Sequence, residues 1–230
     1  MYELVMANKN YSSWSLRPWL LMRVKEIAFK ERLVPFPGGD SYATYRPHTP
    51  SGRVPCLIDG GKPVWDSLAI VEYLAERHPG VWPANADARA WARCASAEMH
   101  SSFDTLRSVC PMNCGVRVRL GERPPMLERD LARIAELWNE GLSRFGGPYL
   151  GGAEFTAVDA FFAPVVFRAQ SFGLIFGGQA DAYGQRMLAL PAMQEWYRAA
   201  LQEPWREPGH EAEVTQFGEI TADERAGGRT

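Results

Sequence analysis

Near residue 80 this 230-residue chain changes texture, and that change restricts its fold more than any single residue does. Before it, strand-type and helix-type segments alternate; from Pro83 onward only helical spacing is expected. Glu3-Leu4-Val5-Met6-Ala7 reads as a buried strand, a helix follows to about Ile27, and residues 29–34 read as a second strand. Strand, helix, strand in that order favours a parallel pair with a crossover helix. Val54-Pro55-Cys56-Leu57-Ile58 and Lys62-Pro63-Val64-Trp65 flank Asp59-Gly60-Gly61, a turn that closes antiparallel hairpins. Pro55 and Pro63 each lack a ladder donor, which places them at strand starts or edges. Residues 42–45 allow one short helix, and Asp66-Ser67 opens another through Leu68, Val71 and Leu74. The first half is therefore expected to be a mixed four-stranded sheet carrying helices.

In the second half, Trp91, Ala95, Glu98, Met99, Phe103, Leu106 and Val109 trace one helix, ended by Pro111. Leu127, Leu131, Ile134, Trp138, Leu142 and Phe145 trace another with clean three-four spacing. Thr156 with Asp159 makes a capping box for a third, which Pro164 should kink or shorten. Pro191 begins a fourth through Met193, Trp196, Tyr197 and Leu201. Residues 205–230, Gly-rich, charged and without periodicity, read as a loosely packed tail. The expected organisation is a sheet domain over 1–80, a linker at 81–86, a helical domain over 87–204 and the tail.

Hydrophobic residues make up 46% of the chain, enough to fill a core of this size. A formal net charge of -2 gives no basic patch for nucleic acid or an anionic membrane, so neither partner is expected. No apolar run approaches the roughly 18 residues that span a bilayer, and Met1-Tyr2-Glu3 lacks the basic start of a signal peptide. A cytoplasmic protein is expected. Cys56, Cys94, Cys110 and Cys114 form no C-x-x-C pair and read as free thiols. His48, His78, His100 and His210 lack ligand spacing, so no metal site is expected.

The stretch with most chemical content is Asn10-Tyr11-Ser12-Ser13-Trp14-Ser15-Leu16-Arg17-Pro18. Proline is tolerated within the first turn of a helix, which places the helix start near Ser15 and leaves Ser12 and Ser13 on the approach loop. Hydroxyls at a helix N-terminus, where N–H groups are unpaired and the dipole is positive, can hold a thiolate, phosphate or carboxylate. Taken alone, the same serines suit simple capping.

Ser-Ser-x-Ser at the first helix, Val-Pro opening the third strand, acid-Ser opening the next helix, and an all-helical second half together resemble the cytosolic glutathione transferases. The match runs from residue 1 to about 204. It is nearest to zeta-like and related bacterial members, whose first helix carries Ser-Ser-Cys-Ser-Trp-Arg where this chain has Ser12-Ser13-Trp14-Ser15-Leu16-Arg17. The resemblance implies a thioredoxin-like N-terminal domain followed by an all-α domain, glutathione as co-substrate, no metal or nucleotide, and a homodimer. It further implies that Ser12 holds the glutathione sulfur with Ser13 as an auxiliary donor. Val54 is expected to pair its backbone with the cysteinyl part, ahead of a cis Pro55. Asp66 and Ser67 should grip the γ-glutamyl end, and Arg53 the glycyl carboxylate, with His48 a weaker candidate.

A thiol of pKa about 8.5 is only a few per cent ionised at neutral pH, and the thiolate is the nucleophile. A serine hydroxyl favours the thiolate by donating to it, with help from the helix terminus. Lowering the pKa by about two units takes roughly 2.7 kcal/mol. The electrophile pocket is expected between the sheet domain and the first long helix, with Trp14, Phe103, Arg107 and Met112 as candidates. The leading expectation is conjugation of glutathione to small hydrophobic electrophiles. The alternatives are a glutathione-dependent isomerase or dehalogenase, and a non-catalytic binding protein that keeps the fold. Trp14 stands where the zeta pattern has Cys, which weighs against isomerase and cysteine-based chemistry.

Overall fold

The computed structural model describes residues 1–225. Strand β1 (Tyr2–Met6) pairs in parallel with β2 (Phe29–Leu33), and α1 (Ser13–Val24) makes the crossover between them. On its other side β1 pairs antiparallel with β3 (Cys56–Asp59), which pairs with β4 (Lys62–Trp65), giving the order β2-β1-β3-β4. Pro63 falls on the edge strand opposite Ile58, and Pro55 lies just before β3, so neither removes a needed ladder donor. Asp40 caps the short α2 (Ser41–Tyr45) and Asp66 caps α3 (Ser67–Ala75), each through its carboxylate.

Helix α1 begins at Ser13, two residues earlier than the position of Pro18 suggested, so the proline sits in the second turn. An interior proline costs a helix roughly 3 kcal/mol. Here every residue from 15 to 22 is buried, and packing outweighs that cost.

The second part is helical: α4 (Ala86–Ser101), α5 (Asp104–Val109), α6 (Pro125–Phe145), α7 (Ala157–Phe172), α8 (Gly178–Leu188) and α9 (Pro191–Gln202). Helix α7 packs against α1, α4 and β5 (Val116–Leu120), tying the two parts together. The Thr156–Asp159 capping box is present, and α7 runs through Pro164 to Phe172 without being shortened. Two expectations fail in this half. The single helix over residues 91–109 breaks at Phe103, which adopts φ 65°; the α4 carbonyls of Met99 and Ser102 turn instead to the Arg107 guanidinium. Strands also return after Pro83. Val116-Arg117-Val118-Arg119-Leu120 alternates apolar and charged residues, the period of a strand, and β5 pairs antiparallel with β6 (Gly218–Asp223).

The expected loose tail is the third correction. Residues 208–223 form α10 (Pro208–Thr215) and β6, and Arg225 beyond them is 6% exposed. Burial of Val214 and a dense ion-pair cluster hold the segment, which is why helical periodicity alone did not reveal it. The last five residues of the expected tail, 226–230, lie outside the described residues.

Candidate active site

The loop joining β1 to α1 is held from the far end of the chain. Glu203, buried at the end of α9, accepts from the backbone N–H groups of Lys9 (2.6 Å) and Asn10 (3.1 Å). Trp196 donates its indole N–H to the Lys9 carbonyl at 2.8 Å. Asn10 donates to Asn113 at 2.9 Å and accepts from the Gly115 N–H at 3.1 Å. Each of these bonds is buried or nearly so, where a lost partner costs most. The loop therefore presents the next residues, Ser12 and Ser13, from a fixed frame.

Ser12 is the N-cap of α1, but its side chain makes no capping bond. Its Oγ lies 2.7 Å from Oγ of Ser15, which also accepts from the Ala7 N–H at 3.4 Å. The sequence reading puts Ser12 ahead of Ser13; in the structure the Ser12 hydroxyl donates to Ser15, and the Ser13 hydroxyl has no partner among the described residues.

Both serines line a cavity of about 320 Å³ between the sheet domain and the helices. Of the expected residues, Trp14, Arg53, Val54, Arg107 and Met112 line it too. The Val54–Pro55 peptide is cis, and Val54 stands before β3 with its N–H and carbonyl unpaired among the described residues. A wider concavity of about 650 Å³ lies by the start of α4, but its Arg93 is already paired with Glu72 and it contains no serine or cysteine.

Four expected residues lie outside the cavity lining: Pro55, Asp66, Ser67 and Phe103. Asp66 uses Oδ1 to cap α3, and its Oδ2 lies 3.3 Å from Nε2 of His100. Ser67 is buried with its hydroxyl unpaired. Phe103 is 5% exposed and packs into the core at the α4–α5 break. His48 is likewise absent from the lining.

Of the charge at this cavity the sequence points to Arg107 alone; Arg168 and Arg17 give no such signal. Arg107 and Arg168 line it, and Arg17 lies fully buried between the rings of Trp14 (4.2 Å) and Phe161 (4.9 Å). Among the described residues none of the three pairs with a carboxylate; they donate to the carbonyls of Met99, Ser102, Arg107 and Cys110. Two nitrogens of Arg17 have no hydrogen-bond partner among the described residues. Burial and then the repulsion of neighbouring guanidiniums push Arg168 down to about 10 and Arg17 down as well. A concentration of positive charge of this kind stabilises an anion placed beside it.

The segment read as a tail supplies the opposite wall. His210 and Glu213 of α10 line the cavity, and the His210 ring stacks on Tyr11 (5.0 Å) and Phe36 (4.6 Å). The Tyr11 hydroxyl donates to Glu211 at 2.5 Å; burial and that acceptor push its pKa up to about 12. Arg225 lies behind this wall, paired with Glu211 (2.5 Å) and Asp223 (2.6 Å). No group of three or more His, Cys, Asp or Glu suited to a metal occurs among the described residues. No helix there is long and apolar enough to cross a membrane.

Comparison with known proteins agrees with this architecture. Residues 11–77 match the glutathione S-transferase N-terminal domain, and 119–199 match the glutathione S-transferase C-terminal domain. A probable maleylacetoacetate isomerase of Vibrio cholerae is 26% identical over 206 residues, covering 85% of this chain and 95% of that protein. A zeta class glutathione S-transferase of Euphorbia esula is 26% identical over 162 residues, covering 69% and 72%. The crystal structure of a maleylacetoacetate isomerase from Methylobacterium extorquens AM1, with bound malonate and glutathione, superposes with a TM-score of 0.63 at 20% identity, covering 88% and 98%. A thioredoxin-like sheet domain followed by a helical domain, with both family domains in place, makes this chain a member of the glutathione S-transferase family, with zeta-like relatives.

Proposed function

We propose that the protein binds glutathione, holds its sulfur as a thiolate at the start of α1, and adds it to a small electrophile. The observation that carries this reading is the meeting of Ser12, Ser13, Val54 and Arg53 in one cavity. Ser12 and Ser13 donate to the sulfur. In the structure the Ser12 hydroxyl and the Ala7 N–H both donate to Ser15 Oγ; when the sulfur binds, the Ser12 hydrogen turns to it and Ser15 donates to Ser12 in its place, so that the bonds reinforce each other. The exposed backbone groups of Val54 take the cysteinyl amide, and Arg53 takes the glycyl carboxylate. Ser67, with its buried hydroxyl unpaired, and Asp66 serve the γ-glutamyl end, after Asp66 gives up His100. The family relationship supports glutathione as co-substrate and a homodimeric cytoplasmic enzyme.

One observation favours a second reading, glutathione-dependent isomerisation of an unsaturated acid. Arg107 and Arg168 face the cavity without carboxylate partners, an environment suited to a carboxylate-bearing electrophile rather than a neutral one. A panel of aryl halide, epoxide and maleyl-type acid substrates, assayed with glutathione, separates the two. Preference for neutral halides supports conjugation; turnover of the cis acid to its trans isomer without loss of glutathione supports isomerisation. No turnover of any member, with no glutathione binding, contradicts both.

A further inference from the structure

Among the groups that face the cavity, His210 is the one whose arrangement neither the sequence pattern nor the serine mechanism accounts for. Its Nδ1 lies 2.6 Å from Oε2 of Glu207, and the same carboxylate accepts the His210 backbone N–H at 2.7 Å. Burial pushes the Glu207 carboxyl up, but these two bonds outweigh it and hold it below its ordinary range. A charged carboxylate on Nδ1 fixes the proton there, so that Nε2 is the basic nitrogen. Nε2 has no partner among the described residues. The ring is clamped between Tyr11, the residue before the serine pair, and Phe36, and it borders the same cavity as Ser12 and Ser13. A carboxylate–imidazole pair at the border of a site, its second nitrogen without a partner among the described residues, is the arrangement of a general base.

We propose that His210 is the catalytic proton acceptor for glutathione, a role that rests on the glutathione reading above. The thiol S–H bond breaks, its proton passes to Nε2, and the electron pair stays on sulfur as the thiolate that Ser12 and Ser13 hold. The imidazolium so formed keeps its Nδ1–H on Glu207, whose negative charge offsets it. When the thiolate adds to an activated carbon–carbon double bond, the same proton moves from Nε2 to the carbon that acquires the negative charge. The imidazole returns neutral and the step balances without another reagent. A serine alone provides no acceptor for this proton, because its hydroxyl must point its hydrogen at the sulfur.

The charged and titratable groups around this ring come from every side of the cavity. Glu207, Glu211 and Glu213 belong to the α10 segment, Tyr11 to the loop before α1, and Tyr45 to α2. Arg53 precedes β3, Arg107 lies on α5, Arg168 on α7, and Arg225 follows β6. Any pH effect must therefore be read against a conservative variant.

The test uses the full chain and glutathione as the probe. Binding is measured by calorimetry, and thiolate formation by its ultraviolet absorbance after rapid mixing, for wild type, His210→Ala and Glu207→Gln. The expected result for His210→Ala is glutathione affinity within about threefold of wild type, with thiolate formation slowed about a hundredfold, in the range of general-base contributions. Added imidazole should restore the rate in His210→Ala and leave wild type unchanged. Glu207→Gln, which keeps an acceptor for the His210 N–H, should lie between the two and shows that α10 still docks. Thiolate formation in His210→Ala at the wild-type rate, or a loss that imidazole does not restore, overturns the role of His210 and leaves the glutathione reading standing. Wild type that binds glutathione without forming thiolate overturns it as well. Failure of wild type to bind glutathione defeats both.

Discussion

Two sets of buried arginines lie near the cavity, and their partners differ. Arg225, on the C-terminal side, is held by Glu211 and Asp223 in short charged bonds, and its guanidinium is raised above its ordinary value despite burial. Arg17 of α1 and Arg168 of α7 are as buried but bonded to carbonyls, and both are lowered. A buried ion with its counter-ion present serves structure; a buried ion without one costs stability and is available to a ligand. The difference separates a clamp from a binding wall in one small volume.

The clamp gives the largest expected effect. Arg225→Met removes the guanidinium from between two partly buried carboxylates and should cost about 3 kcal/mol, read as a lowered urea midpoint together with faster proteolysis of residues 208–223. An unchanged midpoint breaks the distinction. Arg168→Met should do the reverse: stability within about 1 kcal/mol of wild type, because a desolvated charge leaves with its side chain. Turnover of a maleyl-type acid substrate, if the helical side holds its carboxylate, should nevertheless weaken about tenfold, or roughly 1.4 kcal/mol. Equal destabilisation by both variants denies the helical side any functional character.

Acid sharpens the same contrast, and two kinds of carboxyl group respond with opposite signs. Burial pushes Glu211 up, but bonds from Arg225 and Tyr11 outweigh it and leave the group below its ordinary range; Asp223 behaves likewise with Arg225. Their contribution is complete above the unfolded values of about 4 and lost as pH falls through the lowered folded ones. Amide exchange in α10 and β6 should therefore quicken below about pH 4. Asp159 runs the other way. Burial, against the bonds from Leu150, Thr156 and Tyr183, raises it to about 6. Its contribution is present below about 3.9 and is lost as pH rises through 6, so Asp159→Asn should flatten the stability profile between those values. The smallest effect concerns thiols. Burial pushes Cys56 up to about 11 and Cys110 up to about 12, and Cys114 is buried too, so a thiol reagent should label exposed Cys94 alone in the native protein. Rapid labelling of Cys110 or Cys114 would show that the clamp opens.

The N-terminal sheet was legible because its signals are local. Strand, helix, strand fixes the parallel pair of β1 and β2, and Asp59-Gly60-Gly61 fixes the hairpin of β3 and β4. Ser12, Ser13, Trp14, Arg53 and Val54 reach the cavity because they sit beside those elements. The second wall was not legible, since it depends on contacts between distant residues. Val116–Leu120 has strand alternation but finds its partner only at residues 218–223. Arg225 and Glu211 look like solvated charges until they meet, and His210 gains its place from Tyr11 and Phe36, far away in sequence. The break at Phe103 follows from an Arg107 side chain that no helical pattern encodes.

The central claim, that the start of α1 stabilises a glutathione thiolate, is tested most directly by titrating the ultraviolet absorbance of bound glutathione against pH in wild type and in Ser12→Ala, Ser13→Ala and the double variant. The account predicts a thiol pKa about two units below that of free glutathione in wild type, a partial return in each single variant, and a full return in the double, a total of roughly 2.7 kcal/mol. A wild-type thiol that titrates as it does in free solution, or a double variant identical to wild type, would contradict it.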